Sequence, residues 1–327
     1  MLRRTNRLAI FKPLARTLAL ALCVLAPAAP AFAGGPLPYD GSMPRPGITI
    51  AQFYNIYTSA SSYYTAGGTG QGQTGVQTDV PILRLIHTFG SPGGTVWGVQ
   101  LIQPYFQYLG NTRVHGVDLA HQDGLAETQL SVFVKPYHDA ATDSVLTLAY
   151  FLSPPSGSFS SDAALNPGTN NWVDNPEIGF THLLLGRPGQ RRLDLQLWAD
   201  VYYYGSTDGA RYGPITGTRH TDRSEQLRVY LPYYIRPQSG GYVGLALEKT
   251  WGGAQSISGD VRLRNGALLQ VPTTDTGARI DYTRVGIDGG TFLSRTVSLQ
   301  AQLSTDVQVR GGVRNDVYFL LQISKAF

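Results

Sequence analysis

The sequence predicts an all-β protein: a transmembrane, antiparallel, up-and-down β-barrel of about 12 strands with both termini in the periplasm. Three observations predict this fold. Twelve segments alternate between apolar and polar residues, the connections between them alternate in length, and aromatic residues cluster near the segment ends. Membrane-barrel strands alternate because one face meets lipid and the other faces the barrel interior.

The N-terminal residues have the composition of a secretory signal peptide. A basic head precedes the apolar run Leu18 to Leu25, and Ala31-Phe32-Ala33 provides a small-x-small cleavage site. The apolar run is too short to span a membrane. We therefore expect three parts: a cleaved signal peptide at 1–33, a short N-terminal periplasmic segment at 34–47, and an outer-membrane β-barrel at 48–327.

The charge of the mature chain argues against a nucleic-acid partner. Loss of the five basic residues in the signal peptide reduces the 26 Lys and Arg to 21, against 22 Asp and Glu. The single cysteine, Cys23, lies in the predicted signal peptide, so the mature chain offers neither a disulfide nor a thiolate metal site. We expect no metal, no cofactor and no nucleic acid.

The alternation is clearest in segment 193–204. Leu193, Leu195 and Leu197 fall on one face, and Asp194 and Gln196 on the other, which is the period of a β-strand. Each segment is near the ~9–11 residues that a tilted membrane strand requires. The other candidates are 48–58, 77–89, 95–108, 125–136, 144–153, 172–186, 226–236, 241–251, 279–288, 296–307 and 315–327.

The connections alternate between long and short, which is typical of a barrel with short periplasmic turns and longer outer loops. A soluble β-sandwich has no reason to alternate its loop lengths. The long connections are 59–76, 109–124, 154–171, 205–222 and 252–278. The short ones are 90–95, 137–143, 186–190, 236–240 and 289–294. A last connection, 308–314, is of medium length. The even strand count predicts that both termini lie on the periplasmic side.

The last segment alternates up to Phe327, with Phe319, Leu321 and Ile323 on the same face. A strand that ends in an aromatic residue resembles the C-terminal signal by which outer-membrane barrels are recognised for assembly. The resemblance implies that Phe327 is an assembly signal and that the barrel-assembly machinery is a partner, besides the lipid bilayer.

The polar faces of the predicted strands supply a pore lining. Asp194 and Asp200 can pair across the strands with Arg228 and Arg236, because unpaired charges inside a narrow barrel are costly. The same charges can set a transverse field that screens solutes. The residues expected to line the pore are Glu127, Lys135, Asp194, Trp198, Asp200, Tyr202, Arg228, Tyr230, Arg236, Glu248, Gln300 and Gln302.

The stretch LAYFLSPPSGSFSSDAALNPGTNNWVDNPEIGF carries a family resemblance. It resembles the family known as putative MetA-pathway of phenol degradation, outer-membrane barrels often encoded near aromatic catabolism. Its members typically carry P-T-G-x-Y, then N-x-G-x-N-x-W and a proline. This chain departs from the pattern at Ser156 and Phe159. The resemblance implies a passive channel for small organic solutes, aromatic compounds among them.

Within that stretch, Asn166, Asn170 and Trp172 have two interpretations. Asparagines cap tight turns, so these residues can simply form the loop. Alternatively they line the outer mouth and contact a ligand.

Two other functions remain open: a membrane-embedded hydrolase, and a closed structural barrel without transport. A hydrolase needs a serine beside a histidine. Only His87 and His182 fall on predicted strands, and neither has a serine two residues away. The sequence contains no G-x-S-x-G or H-E-x-x-H motif, so we expect that the protein is not an enzyme.

Overall fold

A computed structural model describes residues 35–263 and 265–327, so the predicted signal peptide lies outside the described residues. Twelve antiparallel strands form one continuous wall. They are β1 (Thr49–Tyr64), β2 (Val76–Gly90), β3 (Val96–Tyr108), β4 (Gln129–Asp139), β5 (Ser144–Ser153), β6 (Val173–Gly186), β7 (Arg192–Tyr204), β8 (Ser224–Arg236), β9 (Gly241–Gly252), β10 (Asp281–Phe292), β11 (Val297–Arg310) and β12 (Gly312–Ala326).

The wall closes between the first and last strands. β1 pairs with β2 on one side and with β12 on the other, from Ile50 opposite Ala326 to Tyr64 opposite Gly312. The other strands pair with their neighbours in chain order, so neither edge of the sheet remains open. The predicted closed 12-stranded barrel is confirmed.

The apolar faces point outward, as the alternation predicts. On β12, Phe319, Leu321 and Ile323 are 37%, 40% and 44% exposed, whereas Leu320 and Gln322 face inward and are buried. An outward apolar belt of this kind is the surface that a barrel presents to lipid. No helix among the described residues has the length and hydropathy to cross a membrane.

The two faces of β5 provide a test of this assignment. Leu148 is exposed on the outside, whereas Ala149 lines the internal cavity. Leu148→Lys should lower the free energy of unfolding by ~2–4 kcal/mol, because it places an ammonium group near the middle of the membrane. Ala149→Lys, one residue away, should cost clearly less. Urea unfolding in lipid vesicles measures both values, and equal costs would contradict the face assignment.

The connections define the two ends of the barrel. The short-turn end carries residues 91–95, 140–143, 187–191, 237–240 and 293–296, and the long-loop end carries 65–75, 109–128, 154–172, 205–223 and 253–280. The sixth connection at the long-loop end is Gly311 alone, with φ of +67°. It was expected to be of medium length, and it is short because β11 and β12 continue on both sides of it.

Two of the long loops form a sheet of their own beyond the barrel. Its four antiparallel strands are Thr207–Tyr212, Ile215–Thr221, Gln255–Arg262 and Leu268–Asp275. They enclose a small apolar core of Ala210, Tyr212, Ile215 and Ile257. We name this unit the outer sheet; the sequence analysis predicts only loops there.

Smaller elements complete the fold. The two-residue strands are Gly70–Gln71, Arg113–Val114, Val117–Asp118 and Gly124–Leu125, and short 3₁₀ turns occupy Pro38–Gly41 and Pro237–Ser239. The turn at Pro38–Gly41 precedes β1 and lies inside the barrel.

Candidate functional site

Polar side chains of neighbouring strands face one another in the lumen. Most residues expected from the sequence to line the pore are buried there: Lys135, Asp194, Trp198, Asp200, Tyr202, Arg228, Tyr230, Gln300 and Gln302. The side chain of Glu248 also points inward and is 14% exposed. Burial of these residues follows from the alternation, because each lies on the face opposite the apolar belt.

A network of ion pairs joins six of the strands, β6 to β11. The Arg228 guanidinium lies 3.0 Å from a carboxylate oxygen of Asp200, 3.6 Å from Glu177 and 3.7 Å from Glu248. Arg284 continues the network, 3.6 Å from Glu248 and 2.8 Å from Asp306. These six groups, which we call the acid–base cluster, satisfy one another in a region where an unpaired charge is costly.

Two residues depart from the pairing that the sequence suggests. Asp200 meets Arg228, but Asp194 lies 3.2 Å from Arg192, two residues away on the same strand. Arg236 is exposed at the short-turn end, where a register shift separates it from Tyr234. The expected lumen position of Arg236 is therefore wrong.

Aromatic side chains lie flat on the wall where the neighbouring strand carries glycine. The ring of Trp198 covers Gly179, its partner across the strands, and the ring of Phe133 covers Gly98 in the same way. A Cβ atom at either glycine would collide with the ring. Glycine therefore allows large rings to line the lumen without filling it.

Residues 35–47 run from inside the lumen, where 36–38 and 41 are buried, to the short-turn end, where 45–47 are exposed. The sequence predicts a periplasmic segment here, but its buried part lies against the inner wall. We call this segment the plug. The Pro38 carbonyl accepts a hydrogen bond from Gln196, and the Gly41 carbonyl accepts one from Thr181, at 2.9 and 3.1 Å.

The Asp40 residue of the plug contacts two cations of the inner wall, Arg84 and Lys135. Its carboxylate lies 3.4 Å from the Arg84 guanidinium, and its main-chain carbonyl accepts a 2.8 Å hydrogen bond from Lys135 Nζ. Arg84 also donates to the hydroxyl of Tyr54 and to Gln100. The plug thus adds a negative charge to a positive part of the wall.

Tyr39 fixes the plug at the short-turn end. Its hydroxyl donates to the Gly240 carbonyl at 2.8 Å, and its ring stacks on Phe292 with centroids 4.8 Å apart. Burial, with a smaller effect from nearby Tyr234, raises the pKa of the Tyr39 phenol, which stays neutral and remains a donor.

Apolar residues cover the opposite part of the lumen. Leu37 of the plug is buried among inward side chains of β1, β2, β3 and β12, including Ile56, Ile82, Ile102 and Leu320. Residues of two long loops reach this group from the other end: Val114, Leu119 and Leu165. We call the whole group the apolar side of the lumen; it lies apart from the acid–base cluster.

The loop residues expected at the outer mouth form the loop rather than line a pore. The Asn166 side chain bonds to the backbone of Ser160 and Ala163. Asn170 has φ of +53° and donates its backbone N–H to Glu127, a predicted lining residue that anchors this loop instead. Trp172 is 53% exposed. It directly precedes Val173, which is buried and lines the cavity, and contact between Trp172 and a ligand stays a prediction.

Two histidines of the barrel strands have hydroxyl partners that the sequence does not reveal, and His220 of the outer sheet lies 3.0 Å from Ser206 Oγ. His182 Nδ1 lies 2.7 Å from Ser144 Oγ, and His87 Nδ1 lies 2.8 Å from Thr49 Oγ1. Both partners come from a neighbouring strand 38 residues away. Ser144 is buried and also bonds to Thr142, which bonds in turn to Asp139 in the adjacent turn. Among the described residues, no group of three or more potential ligands could hold a metal ion.

Beside the plug, a cavity of about 1180 Å³ follows the wall. It extends from the short-turn residues Pro237–Gly240 to the long-loop ends of β4, β5 and β6 at Gln129, Ser153 and Val173. Arg84, Lys135, Trp198 and Arg228 line it together with Asp40. The plug therefore narrows the lumen without filling its whole length.

A family model described as putative MetA-pathway of phenol degradation matches residues 59–225, which is just over half of the chain. The chain belongs to this family. The resemblance seen in the loop motif is thereby confirmed. No curated protein matches the sequence.

The fold of this MetA-pathway family member is similar to solved outer-membrane barrels. With the COG4313 outer membrane channel from Pseudomonas putida F1 it shares 21% identity and a TM-score of 0.72, over 90% of this chain and 100% of that one. The β domain of the Bordetella autotransporter Brka gives 12% identity and a TM-score of 0.46, over 86% and 100% of the chains.

The Pseudomonas putida toluene transporter TodX gives 9% identity and a TM-score of 0.38, over 94% and 95% of the chains. The last two similarities are weak and carry nothing further. Fold and family together place the MetA-pathway family member in the outer membrane.

Sequence reasoning missed the plug, and it also did not include Arg84, Glu177, Arg284 and Asp306 among the lining residues. Residues 35–47 contain four prolines and three glycines and have no periodicity, which is typical of a linker. The available signal was a short run of side chains that a linker does not need: Leu37, Tyr39 and Asp40.

Proposed function

We propose that the protein is a passive outer-membrane channel for small organic solutes, and that aromatic compounds are the class that fits its lumen best. The observation that carries this proposal is the division of the lumen into an apolar side and a charged side, with a continuous cavity between them. The termini lie on the periplasmic side in this proposal, so a solute leaves past the plug.

The cavity wall provides different contacts for the apolar and the polar part of such a solute. Ile86, Ile102 and Phe133 of the cavity wall provide apolar surface for a ring. Arg84, Lys135 and Gln100 provide donors for an oxygen substituent. Ligand sites typically combine an apolar lining with a few polar groups that orient the ligand.

A hydrolase is less well supported. Ser144 is buried, and its hydroxyl is shared between Thr142 and His182, so it is not directed at a substrate. These contacts connect β5, β6 and the turn between β4 and β5, which is a structural role. The fold neighbour with the higher TM-score is a channel.

A flux measurement tests the proposal. In proteoliposomes, L-phenylalanine serves as an aromatic solute that has no net charge and crosses lipid slowly. L-serine serves as the comparison solute, because it has the same charged groups and a small polar side chain. We expect flux of phenylalanine above that of protein-free vesicles. Ile102→Ala, on the apolar side and in the cavity wall, should lower the phenylalanine-to-serine ratio, because it removes apolar surface that the solute meets.

Leu101→Ala is the matched control, since Leu101 is the preceding residue and faces outward. A shift in gel migration between boiled and unboiled samples verifies that each variant is folded. A folded barrel that carries neither solute, with or without residues 36–46, would exclude the channel.

A further inference from the structure

We propose that Arg84 and Lys135 form a carboxylate-binding site in the lumen, and that Asp40 of the plug occupies it until an organic carboxylate takes its place. This inference rests on the proposed channel function and specifies one class of solute, aromatic carboxylates. It also gives the plug a role: a built-in ligand that solute displaces.

Asp40 links the two cations of the wall. Lys135 is buried and Arg84 is partly buried, and Asp40 bridges them, through its carboxylate to Arg84 and its carbonyl to Lys135. In the part of the chain that the structure describes, no Asp or Glu of the barrel wall lies within 4.0 Å of either cation. Their close negative partner is thus supplied by the plug.

Arg84 and Lys135 differ in their partners from the two arginines of the acid–base cluster. Arg228 and Arg284 are surrounded by carboxylates of the wall, namely Glu177, Asp200, Glu248 and Asp306. These two arginines therefore stay neutralised when the plug leaves. Glu177 is also within electrostatic range of Arg84 and Lys135, and it reduces their combined charge without bonding to them.

The donors that Asp40 occupies suit an organic carboxylate. The Arg84 guanidinium meets the Asp40 carboxylate, and the Lys135 ammonium group meets the neighbouring Asp40 carbonyl. The hydroxyls of Tyr54 and Thr147 hold the two cations in place by accepting from them at 2.8 and 3.0 Å, respectively. Charge-assisted bonds from such groups favour a carboxylate over a neutral oxygen. Ile86, Ile102 and Phe133 line the same cavity, so a ring beside the carboxylate gains apolar contact.

Displacement follows from competition. A solute that binds Arg84 and Lys135 only when Asp40 has left shifts the population toward the unplugged barrel, by an amount that its differential affinity sets. An aromatic carboxylate would then open its own path, whereas a neutral aromatic of the same shape would pass only when the plug leaves spontaneously.

Single-channel recording in planar bilayers tests this with benzoate and with its uncharged analogue, benzyl alcohol. In the natural protein, benzoate should raise the fraction of time spent in the high-conductance state by on the order of tenfold, the effect of one charge-assisted contact. Benzyl alcohol should not. The double variant Arg84→Gln/Lys135→Gln should lose the response, and Asp40→Asn should be open more often without benzoate.

Two controls make the result specific. Lys325→Gln removes a cation from the outward face of β12 and should keep the full response. Arg84→Lys/Lys135→Arg keeps both charges and should retain a response, which separates loss of charge from misfolding of the Gln variants.

The outcomes are distinguishable. An equal response to benzoate in the double Gln variant, or no response in a conducting natural barrel, overturns the inference and leaves the channel standing. An equal effect of acetate overturns its aromatic part. No current from the natural barrel or from a barrel lacking the plug overturns the channel itself.

Discussion

Deletion of residues 36–46 is expected to raise the single-channel conductance of the barrel severalfold while leaving the barrel folded. The plug is held by side-chain hydrogen bonds from Gln196, Thr181 and Lys135, and by the contacts of Leu37, Tyr39 and Asp40 described above. None of these bonds belongs to the strand pairing, which runs unbroken around the wall. Because the cavity already passes beside the plug, its removal widens an existing path.

A point variant should reproduce the opening without removing a charge. A Cβ atom at Gly41 would lie 2.5 Å from Thr181 Oγ1 and 2.8 Å from Gln196 Oε1, closer than side chains tolerate. Gly41→Val should therefore push the plug off the wall. Met43→Val, two residues away, is the control, and the same recordings measure all three proteins. Unchanged conductance in both the deletion and Gly41→Val would show that the plug does not limit the current.

The second large effect is expected in the acid–base cluster. Arg228→Met should destabilise the barrel by about 3–5 kcal/mol, because it leaves Asp200 and Glu177 buried beside each other without a close cation. Lumen water will reduce this value wherever it reaches the two carboxylates. Equilibrium unfolding in urea, with the barrel in lipid vesicles, gives the free energy of unfolding.

A double variant isolates the interaction. Arg228→Met/Asp200→Asn removes one of the stranded charges and should recover a large part of the loss, so that the two single effects are strongly non-additive. Arg223→Met is the control, since Arg223 forms an exposed pair with Glu225, a type of pair that contributes ~0–1 kcal/mol. A cost of Arg228→Met as small as that of Arg223→Met would contradict the assigned role.

The barrel itself could be predicted because each strand carries its own evidence. The period of two in β7 fixes which of its side chains face inward, and neighbouring β8 shows the same pattern. The contact between Asp200 and Arg228 was also foreseeable, because β7 and β8 are adjacent in the sequence and both residues lie on inward faces. The partner of Asp194 was not, because Asp194 pairs with Arg192 on its own strand, while Arg236 is exposed at the strand end beyond a register shift.

The positions of the plug and of the outer sheet depend on contacts between segments that are distant in the sequence, and such contacts leave no local pattern. Nothing within residues 35–47 indicates that Asp40 meets Arg84, 44 residues further along. The outer sheet likewise needs two loops to pair, and neither loop alone shows the alternation of a barrel strand. The aromatic residues near strand ends do not all lie on one face. Tyr105, Tyr203 and Tyr233 face outward, whereas Tyr108 and Tyr202 face the lumen.

Because Trp198 lies over Gly179 inside the barrel, its fluorescence reports on the lumen, whereas that of the other tryptophans reports on the outer surface. Of the four tryptophans, Trp198 is buried in the lumen wall and lines the cavity, while Trp97, Trp172 and Trp251 are exposed on the outer surface. A water-borne collisional quencher reaches Trp198 only through the barrel, and a brominated lipid reaches the outer rings first. The chain thus carries an intrinsic fluorophore for its interior, whose emission follows the traffic of water and solute without any attached label.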